Sequence, residues 1–393
     1  MLDFALVYQQ IGEMVLEQKR ACQSYDDKVA LAGETLANWN EHWNELEKKL
    51  SQSRTSWLLA GRFHESFMTR HPLPKAPEFF TVVATDGSQI FPDRHELSAC
   101  YLLNLGAVVL HYGSGEQSRL SSRPLLYYKE CDMARSCGGN RVPITSEMIS
   151  VLRGALEIQE LAGLLEEAAE DSRQVIGFTD GTLILWNLTG KPQEFQQEIL
   201  EKYLRGFEDM RRSALPFMGY ISQPGSADVV NVLRVALCPE NPTNCDRCPH
   251  KGQNAELPCE SIAGVTDAVL FSKVLQEGER STIFKSHSEI LKKYGKQAVF
   301  FFYLHVGREI ARIEIPQWLA ENPELLALVH AAAYDQAHKG QGYPVSLAEA
   351  HERAVIRGPE REQFYRIVED RYVREGLKVS ISRKSFKKRN VTI

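Results

Sequence analysis

Two short stretches of this sequence end in the same pattern, an aspartate followed by a glycine and a hydroxyl residue. Asp86 follows an apolar run at residues 82–84, and Asp180 follows a second run at residues 175–178. Such runs predict strands, and the glycine lets the backbone turn away, which leaves the carboxylate at the edge of the sheet. We expect both carboxylates to bind one divalent metal, because Mg²⁺ and Mn²⁺ prefer carboxylate oxygens. One Asp-Gly pair alone would indicate only a turn, and the repetition favours the metal site.

A third acidic ligand is expected from the helix predicted between these two strands. Residues 149–169 are rich in Leu, Ala and Glu, which is typical of a helix. Its acidic candidates are Glu157, Glu160, Glu166 and Glu167. Glu157 lies at the edge of the apolar stripe and could point along the sheet, but periodicity alone leaves Glu160 open. Any one of these glutamates, taken singly, is more typical of a solvated helix face.

Tyr343 and His351 belong to a second informative segment near the C-terminal end. Pro344 is suited to the first position of a helix, and His351 would then share a face with Leu347. A histidine on an apolar face is usually a hydrogen-bonded core residue. Its alternative role is that of a metal ligand or a proton-transfer group at the site.

Four cysteines lie close together in a segment rich in Pro, Asn and Gly. They are Cys238, Cys245, Cys248 and Cys259, in the spacing C-x6-C-x2-C-x10-C. Four thiolates with few apolar residues between them predict a segment that folds around a metal. The Cys-Pro steps and the single C-x2-C pair favour a four-iron (4Fe–4S) iron–sulfur cluster, with structural Zn²⁺ as the alternative. A disulfide framework is not expected in a long intracellular chain.

The elements that would position these residues follow the order strand, strand, strand, helix, strand. The strands are predicted at residues 80–85, 99–105, 107–112 and 174–180. This order predicts an α/β fold with a ribonuclease-H-like mixed sheet flanked by helices, in which acids from the first strand, the helix and the fourth strand converge. Further helices are predicted near 193–212, 323–337 and 344–355, and further strands near 219–222, 297–305 and 309–315.

The overall composition is ordinary for a soluble globular protein. Hydrophobic residues make up 43%, charged residues 25%, and the formal net charge is -5. Any contact with DNA or RNA must therefore depend on local basic patches, such as the one at residues 383–389. The chain begins without the pattern of a signal peptide and has no run of about 18 uncharged apolar residues, so we expect a cytoplasmic protein with no membrane partner.

Taken together and in order, these motifs resemble the NurA nuclease family. The resemblance runs from about residue 80 to residue 357 and is interrupted by the cysteine segment. It rests on the two Asp-Gly motifs, on Gly219-Tyr220-Ile221-Ser222, on Arg312-Ile313-Glu314-Ile315-Pro316 and on the segment at 342–351. Each motif is common alone, and the ordered set is what carries the resemblance.

The resemblance implies a manganese-dependent DNA nuclease that acts 5′ to 3′ on single and double strands. It also implies a homodimer and a partner, the HerA-type hexameric ATPase, in end resection and double-strand break repair. Carried over by position, the site residues are Asp86, Glu157, Asp180, Tyr343 and His351. The carboxylates would hold Mn²⁺ or Mg²⁺, His351 would bind the metal or move a proton, and Tyr343 would position the phosphate or the terminal base.

With this resemblance the chain divides into three regions. Residues 1–75 are expected to form an N-terminal helical region that begins with a pair of long amphipathic helices. Residues 76–360 would form the nuclease domain, with the cysteine-rich insertion at 236–262, and residues 361–393 a helix and basic tail. The main alternative function is a non-catalytic DNA-binding or assembly protein; a redox-sensing regulator built on a metal cluster is a third class.

Overall fold

The structure, a computed structural model, describes residues 2–92, 100–169, 174–251 and 257–377, without the side chains of residues 20–23 and 137. The basic patch at 383–389 lies outside the described residues. The helices are α1 (Phe4–Glu41), α2 (Trp43–Gln52), α3 (Glu130–Met133), α4 (Ser146–Ala169), α5 (Gln193–Arg212), α6 (Asp228–Leu237), α7 (Asp267–Ser272), α8 (Gln317–Ala320), α9 (Pro323–Lys339), α10 (Val345–Ala354) and α11 (Gly358–Arg374). The strands are β1 (Ala60–Arg62), β2 (Arg70–His71), β3 (Phe80–Ile90), β4 (Tyr101–Tyr112), β5 (Arg119–Tyr127), β6 (Ala134–Cys137), β7 (Asn140–Pro143), β8 (Gln174–Asp180), β9 (Phe217–Ile221), β10 (Arg280–Ser281), β11 (Phe284–Ser286), β12 (Val299–His305) and β13 (Ile310–Pro316).

The described chain forms two compact units, each assembled from separate stretches of sequence. The first unit comprises the residues up to Leu73, together with Ile221–Leu291 and Val299–Glu314. The second unit comprises Pro74–Tyr220, Lys292–Ala298 and the described residues from Ile315 onward. All five candidate site residues for the nuclease fall in the second unit, whereas the four clustered cysteines fall in the first.

A mixed sheet forms the centre of the second unit. Its strands are hydrogen-bonded in the order β9, β8, β3, β4, β5. The β9–β8 and β8–β3 pairs are parallel, and the β3–β4 and β4–β5 pairs are antiparallel. Successive residues of β3 face opposite sides: Thr85 hydrogen-bonds α4, and Ser88 hydrogen-bonds the end of α10. The sheet is therefore flanked by helices on both faces, and the predicted fold class is confirmed.

Three details of this sheet differ from the sequence-based expectation. Strand β3 does not end at Asp86 but continues through Gly87 to Ile90. The two strands predicted at 99–105 and 107–112 form one continuous strand, β4, because Gly106 extends the ladder opposite Asp86 instead of breaking it. Strand β5 was not predicted, because its residues are mostly exposed and lack the alternation that marks a half-buried strand.

The first unit combines helices with a smaller set of strands. Strands β1, β11, β12 and β13 follow one another in hydrogen-bonded order, and β10 pairs with both β12 and β2. Side chains from α1, α2, α6 and α7 bury a common apolar core with these strands. The predicted pair of N-terminal helices is present and ends at Gln52. Strands β1 and β2 come next, in a stretch for which the sequence predicted helix and linker. Within the described residues, no helix has the length and apolar character needed to span a membrane.

Candidate metal centre in the second unit

The two aspartates of the repeated motif lie side by side at one edge of the sheet. Strands β3 and β8 are parallel neighbours, and their register pairs Thr85 with Thr179. The next residue on each strand is the aspartate, so Asp86 and Asp180 occupy adjacent positions. The Asp86 side chain is 15% exposed, and Asp180 lies at the surface. Strand β8 ends at Asp180, and Gly181 follows with φ +81°, a left-handed conformation that glycine adopts without strain.

Glu157 brings a third carboxylate to the same place from α4. Its side chain lies against Gly87, where a Cβ atom would stand 2.4 Å from Glu157 Oε1. A side chain at position 87 would displace the Glu157 carboxylate, so the glycine admits this carboxylate and does not, as the sequence suggested, turn the chain. Thr85 Oγ1 donates to the backbone carbonyl of Glu157 at 3.1 Å, which fixes this turn of α4 on β3.

The Glu157 carboxylate is in an unfavourable electrostatic environment. Burial raises its pKa to about 7, and the negative charges of Asp86 and Asp180 raise it as well, against the opposing effect of Arg153. Glu157 Oε1 and Arg153 Nε are 2.9 Å apart, yet neither atom has a partner in hydrogen-bond geometry. The contact is an ion pair that leaves the buried oxygen available to another ligand.

The other acidic candidates on α4 are placed elsewhere. Glu160 forms an ion pair with Arg123 of β5, and Glu167 forms one with Arg119 of the same strand. Glu166 is exposed. Of the four glutamates, the structure brings Glu157 to the two aspartates. Glu160 instead connects the helix with the edge strand.

Asp180 is the second carboxylate with a raised pKa. Although the residue lies at the surface, loss of water around its carboxylate is the largest cause, and the charge of Asp86 adds to it. The Tyr343 hydroxyl donates to Asp180 Oδ1 at 2.9 Å, and this hydrogen bond lowers the pKa, as does the nearby His351. The Tyr343 ring packs edge-on against Tyr220 of β9, with 5.8 Å between ring centroids.

His351 reaches the site from α10. Its Nδ1 lies 2.8 Å from Asp86 Oδ2, and its side chain is 61% exposed. The core-histidine interpretation was therefore wrong: Leu347 and Ala350 are buried on this helix, and His351 is not. The imidazole is placed between the acidic edge of the sheet and solvent.

The backbone of α10 is held close to the sheet by β3 and β4. Ser88 Oγ and the Asn104 side-chain amide both donate to the carbonyl of Ala354, the second at 2.8 Å. A Cβ atom at Gly106 would stand 2.3 Å from the backbone nitrogen of Ala354. The absence of a side chain at Gly106 thus allows α10 to approach β4 closely enough for His351 to contact Asp86.

Arg153 is the site residue that the sequence analysis did not identify. Besides its contact with Glu157, its Nη1 donates to the Gln89 side-chain oxygen at 2.8 Å. Arg153 and Glu157 are four residues apart on a helix, and this spacing was the available signal, since it places both on one face. Arg153 therefore places a positive charge in direct contact with one of the three carboxylates, that of Glu157.

A hard divalent cation fits this set of donors. No group of three or more His, Cys, Asp or Glu side chains in the described parts of the chain is already spaced to hold a metal ion. The fit lies in charge and hydrogen bonding: Glu157 Oε1 is buried without a hydrogen-bond partner, and Asp86 and Asp180 oppose its ionisation. A bound cation would provide the missing contact and neutralise the repulsion, and its preferred ligands are carboxylate oxygens.

The four clustered cysteines lie in the first unit. Cys238, Cys245, Cys248 and Cys259 are all half-buried, and each has a free thiol. His250, which follows the C-x2-C pair, lies 3.1 Å from a carboxylate oxygen of Glu240.

Comparison with known proteins gives the family and the fold. A family profile described as "NurA domain" matches residues 80–356, more than half of the chain. The crystal structure of the NurA nuclease from Sulfolobus solfataricus superposes with a TM-score of 0.50 and 12% identity, covering 93% of this chain and 98% of that one. A structure described as NurA bound to dAMP and manganese aligns over 75% of this chain and 88% of its own, with 11% identity and a TM-score of 0.36. No curated protein matches the sequence. The match to the family profile over residues 80–356 shows that this chain belongs to the NurA nuclease family.

Proposed function

We propose that this protein is a metal-dependent deoxyribonuclease whose active centre is formed by Asp86, Glu157 and Asp180. The observation that carries the proposal is the placement of three carboxylates, from β3, α4 and β8, at one edge of the sheet. Burial is the largest cause of the raised pKa of both Glu157 and Asp180, and the charges of neighbouring carboxylates add to it. Such a cluster is costly unless a cation joins it, and perturbed carboxylates at one edge of a sheet are typical of a catalytic site.

The metal is expected to be Mn²⁺, as the family resemblance implies, or Mg²⁺. Asp86, Glu157 and Asp180 would hold it together with His351. A bound ion of this kind lowers the pKa of a water molecule and stabilises negative charge on a phosphodiester.

The surrounding residues orient and balance these ligands. Tyr343 donates to Asp180 Oδ1 and so fixes the direction of that carboxylate. His351, exposed and in contact with Asp86, is placed to exchange a proton with solvent or with a departing oxygen at its ring nitrogens. Arg153 holds Glu157 in the metal-free protein, and its positive charge would be available to a DNA phosphate bound at the carboxylates.

Degradation of end-labelled DNA tests this proposal. The wild type should degrade DNA when Mn²⁺ is added and not in EDTA, and Asp86→Ala and Asp180→Ala should fall to the enzyme-free background. Asp370→Ala, an exposed aspartate on α11, is the matched control and should keep full activity. A wild type that binds DNA but never cleaves it would favour the non-catalytic alternative, and unchanged activity in both active-site variants would refute the metal centre.

The family resemblance also supports finer proposals about substrate and partners. We propose that the enzyme removes nucleotides from 5′ ends, and that it works in DNA end resection with a HerA-type hexameric ATPase. Substrates labelled at either end, with the other end blocked, distinguish the two polarities. Sedimentation of the nuclease with the ATPase from the same genome, with and without DNA, tests the partnership, and two separately migrating proteins would contradict it.

A further inference from the structure

The four cysteines at 238–259 form a cluster of metal-binding side chains that the proposed nuclease site does not use. We propose that Cys238, Cys245, Cys248 and Cys259 of the first unit bind a four-iron iron–sulfur cluster. All four thiols are free and half-buried, which leaves them accessible for cluster insertion yet partly shielded from water. The proposal concerns a second centre, separate from the carboxylates of the second unit.

The first and last of these cysteines both lie beside α6. Cys238 follows the last residue of α6, and Cys259 lies in the short 3-10 turn Pro258–Glu260, which packs on α6. Arg234 of α6 donates from Nε to the carbonyl of Cys259 at 2.9 Å, which fastens the turn to the helix. Cys259 also lies near enough to Cys238 and Cys245 to interact electrostatically with both.

The middle of the segment is anchored independently. The backbone N–H of Cys245 donates to the carbonyl of Arg54 at 2.8 Å, and the N–H of Arg54 donates to the carbonyl of Thr243 at 2.8 Å. The Asn244 side chain accepts from the N–H of Arg247, which forms a tight turn just before Cys248. Two separate attachments therefore hold the segment around its cysteines, although it has few apolar residues of its own.

Two cations contact the backbone of the first and last cysteines. The Lys49 ammonium donates to the backbone carbonyl of Cys238. Arg234 donates to the backbone carbonyl of Cys259, and its guanidinium stacks on Trp57 at 3.8 Å from the ring centroid. Such cations would partly neutralise the negative charge that four thiolate ligands bring to one site.

The spacing of the ligands favours an iron–sulfur cluster over zinc. Structural zinc sites are usually built from two closely spaced ligand pairs, whereas this segment has a single close pair, Cys245 and Cys248. Cys238 and Cys248 are each followed by proline, a step also found at iron–sulfur ligands. His250, the nearest alternative ligand, is engaged with Glu240, so the four thiolates are the complete set that we assign.

Anaerobic purification of the full chain tests the assignment. We expect a brown protein with the broad visible absorbance of an iron–sulfur chromophore, about four iron and four sulfide per chain, and an electron paramagnetic resonance signal after reduction. Cys248→Ser and Cys259→Ser should lose the chromophore and most of the iron, whereas Cys131→Ser, an exposed cysteine of the second unit, should keep both. Asp86→Ala should also keep them, because the two centres are independent.

Three results would contradict the assignment. A colourless protein with about one equivalent of zinc would overturn the iron–sulfur assignment, and a chain with neither metal would overturn the centre itself. Full iron in both Cys248→Ser and Cys259→Ser would show that other residues hold it. If either variant is insoluble, iron and sulfide analysis of the wild type still decides the occupant, and alkylation of the wild type before and after chelation identifies the protected cysteines.

Discussion

Glu157 is the residue at which the demands of folding and of the proposed chemistry conflict most. Burial and two neighbouring aspartates raise the pKa of its carboxyl to about 7, and Arg153 offsets only part of this effect. A side chain selected for stability alone would be neutral at this position. The unfavourable charge is explained if the folded state normally includes a cation.

Replacing Glu157 by Gln is expected to stabilise the metal-free protein while abolishing nuclease activity. The carboxyl has an ordinary pKa of 4.5 and a folded-state pKa of about 7, so the folded state binds more protons between these values. Wild-type stability therefore falls as pH rises from 4.5 to 7, by up to about 3 kcal/mol. Urea denaturation in EDTA at pH 5 and pH 8 should show this loss in the wild type and a smaller loss in Glu157→Gln. Glu166→Gln, on the exposed face, should follow the wild type, and the same pH dependence in all three proteins would refute this account.

The Tyr343 hydroxyl is expected to set the pH range of activity. Its hydrogen bond lowers the pKa of Asp180, so Tyr343→Phe should raise that pKa and move the acidic limb of the kcat/KM profile to higher pH. Loss of one hydrogen bond to a charged group should also lower the rate roughly tenfold. Tyr128→Phe, an exposed tyrosine, should leave both unchanged. A lower rate with an unshifted profile would mean that Tyr343 acts on the substrate and not through Asp180.

At the level of single elements, the sequence predicted the parts with a strong period and missed those without one. Helix α4 and strand β8 match their predicted bounds closely, because their apolar residues recur regularly. Strand β5 has no such period, and it carries Pro124, which is tolerated mainly on edge strands. Periodicity left Glu157 and Glu160 open for a related reason: Glu160 pairs with Arg123 of β5, a strand that the sequence did not predict.

The distance between α10 and the sheet is expected to control activity through Gly106. In Gly106→Ala the new methyl group would meet the backbone of α10, which cannot move as a side chain can. We expect a loss of about 3 kcal/mol in the free energy of unfolding and a larger loss of nuclease activity than Tyr343→Phe causes, because His351 would be displaced. Gly163→Ala on α4, where nothing lies within 4 Å, should instead stabilise the protein by about 1 kcal/mol with full activity. Equal effects of the two changes would refute the close-approach argument.

At the level of the whole molecule, each unit is assembled from segments far apart in sequence. Residues up to Leu73 share the first unit with Ile221–Leu291 and Val299–Glu314. Local patterns cannot predict such an arrangement, because they report on neighbours in sequence and not on long-range packing. The motif order did identify the family, since each motif needs only its own strand or helix to be recognised.

The first half of α1 is expected to join two copies of the chain. Phe4, Tyr8, Ile11 and Val15 follow one another at steps of four, three and four residues, and each is between 47% and 81% exposed. This spacing places them in one apolar stripe, and a continuous exposed stripe is typical of a protein interface. Light scattering during size-exclusion chromatography should give a dimer for the wild type and a monomer for Ile11→Glu. Gln9→Glu adds the same charge on the opposite side of the helix and should stay dimeric, and a wild-type monomer at all concentrations would exclude this interface.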